Sequence, residues 1–126
     1  MKIIAIDFDG TLCTENFPKI GEPIPHMIEL VKQLKTQGYK LILWTCREGF
    51  VLDEAVAWCR EKGLEFDAIN DNIPEIKKEW KANVRKVFCD LYIDDKCINP
   101  LFDGDITIER INTLCSNSER PANTIS

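Results

Sequence analysis

Ile3-Ile4-Ala5-Ile6-Asp7-Phe8-Asp9-Gly10-Thr11-Leu12 opens with an unbroken apolar run that ends on two carboxylates. The run reads as a buried strand, rich in β-branched residues, that stops at an acidic, turn-forming loop. Side chains alternate along a strand, so Asp7 and Asp9 point the same way while Phe8 turns into the core. Gly10 permits a tight turn, whose backbone N–H groups together with the Thr11 hydroxyl form a candidate anion cradle. A nucleophile, an acid/base and a phosphate-binding turn are the chemistry this stretch suggests.

Working outward, residues 13–25 carry Pro18, Gly21, Pro23 and Pro25, a composition that excludes a long regular element and suggests a loop or short flap over the strand end. Ile28, Val31 and Leu34 then recur at helical spacing, with Pro25 suited to the entry turn and Gly38 to the stop. Leu41 to Trp44 is a second buried strand, followed by the loop Thr45-Cys46-Arg47-Glu48-Gly49. The spacing predicts a second helix over 50–62, stopped by Gly63, and a third strand over 66–69. A short basic helix over 74–81, a fourth strand over 91–93 running into Asp94-Asp95, and a last helix over 106–114 capped by Asp105 complete the pattern. Strands alternating with helices imply an α/β fold with a mostly parallel sheet covered on both faces. One domain over 1–115 with a flexible tail over 116–126 is the expected organisation.

The chain has 126 residues, 44% of them apolar, which suffices for one core and not for two ordinary domains. A formal charge of −5 argues against a large polyanionic partner and makes nucleic acid a disfavoured one. No apolar run approaches the roughly 18 residues of a membrane span, and no signal-like segment opens the chain, so the expected location is cytoplasmic. Six cysteines lie scattered without a CxxC pair, beside a single histidine, His26. They read as reduced thiols rather than as a zinc site.

In parallel α/β sheets ligands bind beyond the carboxyl ends of the strands, where Asp7/Asp9, Thr45-Cys46-Arg47 and Asp94-Asp95 all fall. Carboxylates gathered there repel by about 4 kcal/mol per close pair at an effective dielectric near ~20. A hard divalent cation, Mg2+, together with a lysine answers that repulsion; Lys86 is the first choice and Lys81 the second. Asp7 can then attack phosphorus, with Asp9 protonating the leaving oxygen and later taking a proton from water. Thr45, Gly10, Thr11 and the lysine hold the phosphoryl oxygens. Arg47 has two readings, a substrate-phosphate contact or a surface ion pair with Glu48. Cys46 stands among the substrate-binding candidates, with incidental packing as its plainer reading, and Asn70-Asp71-Asn72, at the end of the third strand, reads as a turn, with a substrate contact as its other reading.

These residues resemble the haloacid dehalogenase-like superfamily, whose phosphatases carry a DxDGT motif, a Thr or Ser ending the second strand, a later Lys and a final acidic pair. Here they stand as Asp7-Phe8-Asp9-Gly10-Thr11, Leu43-Trp44-Thr45, Lys86 and Tyr92-Ile93-Asp94-Asp95, in the superfamily's order. The resemblance spans about residues 1 to 114 and is strongest for small bacterial and phage hydrolases with a Trp-Thr-Cys-Arg-Glu-Gly second motif. It implies a three-layer Rossmann-like fold, Asp7 as nucleophile and metal ligand, Asp9 as acid/base with its main-chain carbonyl on the metal, and Asp94-Asp95 completing the metal shell. It also implies a capless enzyme, since the connections are too short for an inserted cap; the substrate is then large, or a neighbouring subunit of a homo-oligomer supplies the cover.

Two other functions compete with a Mg2+-dependent phosphomonoesterase. A phospho-receiver or Mg2+-binding regulatory module also uses acids, a Thr and a Lys, but its phosphorylated Asp ends the third strand, where this chain has Ala68-Ile69-Asn70. A nucleotide or nucleic-acid end is a narrower substrate class, which the acidic balance disfavours.

Overall fold

The computed structural model describes residues 2–76, 89–93 and 108–117. In chain order they form β1 (Ile3–Ile6), α1 (Pro25–Thr36), β2 (Lys40–Leu43), α2 (Gly49–Glu61), β3 (Ala68–Ile69), β4 (Leu91–Ile93) and α3 (Ile108–Asn117). The expected roles of Lys81, Lys86, Asp94, Asp95, Cys97 and Asp105 fall outside the described residues.

All four strands pair in parallel in the order β3-β2-β1-β4, with Ile6 level with Leu43 on one side and Ile93 on the other. The chain leaves β1 toward β2 and returns on its far side as β4. The strand order therefore reverses at β1, and the crevice beyond its carboxyl end is where such sheets bind ligands. Helices lie against this all-parallel sheet, an arrangement compatible with a Rossmann-like fold.

Period-2 alternation sorts the strand residues onto two buried faces. Ile4, Ile6, Leu41 and Leu43 join a core with Met27, Leu30, Val31 and Leu34 of α1, Ala55 and Cys59 of α2, and Ile111 and Cys115 of α3. Ile3, Ala5 and Ile42 face the other way, onto Ile73 and Ile76 with Trp44, Ala68, Cys89 and Tyr92 beside them. A fully buried Ile or Leu contributes about 2 kcal/mol relative to exposure, so β1, buried at every position, anchors the fold. Pro25 opens α1, where no N–H partner is needed.

Two elements depart from expectation. β3 is confined to Ala68–Ile69, because Asp67 caps the sheet where a longer strand would pair. The Asp67 N–H donates to the Leu41 carbonyl at 2.8 Å while its carboxylate accepts the Leu41 N–H at 2.8 Å. Asp90 repeats the device ahead of β4, donating to the Ile3 carbonyl at 2.7 Å and accepting the Ile3 N–H at 2.7 Å. The other departure is α3, which continues to Asn117 and takes in Ser116 from the expected tail. Cys115 is buried against the core, and the Lys2 ammonium donates to its carbonyl at 3.1 Å.

Asp67 also pairs with Lys35 at 2.9 Å and Lys40 at 3.9 Å. Burial raises its pKa, but the Leu41 N–H and the two lysines outweigh burial and hold it below the ordinary carboxylate value. A depressed folded pKa contributes stability above the unfolded value and loses it as pH falls through the folded one. Asp67→Asn is therefore expected to be less stable than wild type by about 0.5–1 kcal/mol at pH 7, given a half-exposed lysine partner. In urea titrations the gap should close as pH falls below about 4, the ordinary carboxylate range.

Candidate active site at the carboxyl end of the sheet

Asp7 follows β1 directly; its N–H donates to the Ile93 carbonyl at 2.9 Å and its carboxylate accepts the Phe8 N–H at 2.8 Å. This places it between the ends of β2 and β4. Phe8 is fully buried and meets Trp58 edge-on at 5.4 Å, as the alternation predicts. Gly10 adopts φ +82°, a conformation that costs glycine little and other residues more. The anion cradle expected there is closed in this structure: the Gly10 N–H donates to the Cys13 carbonyl and the Thr11 N–H to that of Phe8. The Thr11 side chain is fully buried, and its hydroxyl finds no hydrogen-bond partner among the described residues.

Arg47 departs furthest from its two expected readings. It is buried, with 1% exposure, so it is not a surface partner of Glu48. Its Nε and Nη2 donate to the two carboxylate oxygens of Asp9, each at 2.8 Å, a bidentate ion pair between residues 38 positions apart. Nη1 donates to the carbonyls of Pro18 and Val51 at 3.2 and 3.3 Å, and Nη2 also to that of Lys19 at 2.9 Å. A guanidinium has five N–H donors, and these bonds use them all. Arg47 thus has no donor to offer a substrate phosphate in this arrangement. Its hydrogen bonds to Asp9 chiefly raise its pKa, against the effect of burial.

The flap is a tied loop. Thr14 and Glu22 are joined by an N–H to carbonyl bond and an N–H to hydroxyl bond, both 2.8 Å, and the Ile24 N–H reaches the Leu12 carbonyl at 2.9 Å. The Arg47 guanidinium lies over the ring of Phe17, at the flap's tip, at 5.2 Å and over that of Phe8 at 5.1 Å; Phe17 is itself 55% exposed.

Thr45 ends up beyond β2, where its hydroxyl accepts the Arg47 N–H at 3.1 Å. Asn70, expected to turn the chain or to contact a substrate, shapes this loop. Its carboxamide accepts the Thr45 N–H at 2.7 Å and donates to the Arg47 carbonyl at 3.3 Å, from a backbone at φ +51°. Asparagine is among the few residues that tolerate that region, which was the available sequence signal. Cys46 is exposed beside it. Cys13 and Cys59 are buried, and burial pushes their thiols up to about 11 and about 12, which leaves them inert.

No protein-family model and no curated protein matches the chain. Among solved structures, a conserved protein coded by a locus of Bacteroides thetaiotaomicron is 41% identical, with a TM-score of 0.71 over 94% of this chain and 92% of that one. The chain belongs to the family of that conserved protein.

For this family member the metal question turns on donor chemistry. The acids at the end of β1 are hard oxygen donors of the kind Mg2+ takes. Arg47 occupies both carboxylate oxygens of Asp9, so the Asp7 carboxylate and the Asp9 main-chain carbonyl are the groups here that suit a cation. Among the described residues no three His, Cys, Asp or Glu side chains gather into a metal cluster. Also among them, no helix is long and apolar enough to cross a membrane.

The flap's closure depends on Gly21. A Cβ there would lie 2.1 Å from the Thr14 carbonyl oxygen, a backbone atom that cannot swing away. Gly21→Ala is expected to part the two stems and destabilise the protein by about 1–3 kcal/mol. Protease cleavage confined to residues 14–22 and a lowered urea midpoint would register it.

Proposed function

We propose that this protein is a Mg2+-dependent phosphomonoester hydrolase that works through an aspartyl-phosphate, as haloacid dehalogenase-like phosphatases do. The observation that carries the reading is the position of Asp7 at the carboxyl end of the central strand, where the strand order reverses, with Thr45 closing the neighbouring strand.

In this reading an Asp7 carboxylate oxygen attacks the phosphorus of a bound phosphomonoester. The bond from phosphorus to the ester oxygen breaks, and the leaving oxygen takes a proton from Asp9. Asp9 then accepts a proton from the water that attacks the phosphoryl group, the bond from phosphorus to Asp7 breaks, and inorganic phosphate and an alcohol leave. Mg2+, held by the Asp7 carboxylate and the Asp9 carbonyl with Asp94 and Asp95, would offset the charge on the phosphoryl oxygens. The Thr45 hydroxyl, used here as an acceptor, keeps its own hydrogen for a phosphoryl oxygen. Lys86 is the proposed cation beside it. Asp9 has both oxygens on Arg47, and turning one of them toward a leaving oxygen loosens that pairing.

Asp7→Asn is expected to abolish phosphate release while leaving the thermal midpoint within a few degrees of wild type, and EDTA should abolish wild-type release reversibly. A panel of phosphorylated metabolites, nucleotides and an aryl phosphate is the assay. Turnover that survives in Asp7→Asn would overturn the mechanism.

A further inference from the structure

The planar guanidinium of Arg47 is shared between the acid/base candidate and the flap. Nη2 alone serves an Asp9 oxygen and the Lys19 carbonyl, while Nη1 serves Pro18. The guanidinium also lies over the ring of Phe17, a flap residue, as it does over that of Phe8. Lifting the flap takes away the Pro18 and Lys19 carbonyls and lets water reach the buried guanidinium, and an ion pair that water reaches holds its carboxylate far less tightly than a buried one. Its donors are fixed in one plane, so a guanidinium that turns as those carbonyls leave turns Nε and Nη2 out of line with Asp9.

We propose that Arg47 is a positioning residue that couples the flap over residues 14–22 to Asp9, so that lifting the flap admits substrate and frees the Asp9 carboxylate in one movement. The catalytic half of this proposal rests on the phosphatase reading; the mechanical half does not. Coupling of this kind is reciprocal: whatever loosens Asp9 from Arg47 must loosen the flap. Phe17, as the flap's contact with Arg47, then acts on the leaving-group step without touching the phosphoryl group.

Amide hydrogen exchange in wild type, Asp9→Asn and Phe17→Ala tests the mechanical half. In Asp9→Asn the carboxamide NH2 meets a guanidinium N–H where an oxygen stood, so exchange at Thr14 and Glu22 is expected to accelerate at least tenfold, with β1 and β2 amides unchanged. Flap exchange that stays at the wild-type rate in Asp9→Asn overturns the proposal. Phe17→Ala, a change at a half-exposed side chain, guards against a folding defect and should accelerate the same two amides. For the catalytic half, Phe17→Ala, which loosens the flap and with it the hold on Asp9, is expected to raise kcat severalfold on an alkyl phosphate, whose leaving oxygen needs the Asp9 proton, and to leave it nearly unchanged on a nitroaryl phosphate, which does not. A fall in kcat on the alkyl ester, an equal change on both esters, or a rise in KM alone would overturn that half. If wild type releases phosphate from no ester, the phosphatase reading fails, and the exchange result alone decides the coupling.

Discussion

A guanidinium sealed beneath a loop needs every N–H group met from within the protein, and at the carboxyl end of this sheet that requirement organises everything around it. Arg47 draws in Asp9 from the β1 turn, two flap carbonyls and the first turn of α2. Removing one partner of such a buried pair typically costs about 3–5 kcal/mol, because the other charge is left without compensation. The flap's place, the entry into α2 and the orientation of one carboxylate are therefore a single arrangement. Loosening any of them leaves a buried donor or acceptor unmet.

The electrostatics of the site follow from the same pair. Two acids at one strand end call for positive charge, and Arg47 supplies it to Asp9 from the protein interior. The Asp7 carboxylate accepts the Phe8 N–H. The two aspartates of the first motif thus differ in surroundings although only Phe8 separates them in sequence. Such a division suits one carboxylate that attacks and another that shuttles a proton.

What was legible in the sequence is what is local. The Ile3–Ile6 run, the helical spacing of Val31 and Leu34 and the turn at Gly10 each carry their signal within a few residues, and the structure has them in place. The parallel sheet followed from their alternation. The Arg47–Asp9 pair was not legible, because its members are 38 positions apart and Glu48, the nearest acid in sequence, offered a local partner that Arg47 does not take. The cradle over Gly10 and Thr11 was misread for a related reason: composition shows which N–H groups a turn exposes for bonding, not that Cys13 and Phe8 already accept them. Asp67 and Asp90 went unread because an acid just before an apolar run looks like ordinary punctuation, and only the neighbouring strand reveals what it accepts.

Those two aspartates work as datum marks. Each is clamped by a pair of bonds to an inner strand, Asp67 to Leu41 and Asp90 to Ile3, at the end of the sheet remote from the candidate site. At about 3.3 Å per residue, the distance from such a mark to the opposite rim is set by counting residues. Asn70 reaches Thr45 because it stands three residues, about 10 Å, beyond Asp67. Loops between elements can lengthen or shorten over evolutionary time without disturbing that gauge. The few residues between mark and rim cannot, so in this fold the strands are the part whose length is conserved by mechanics.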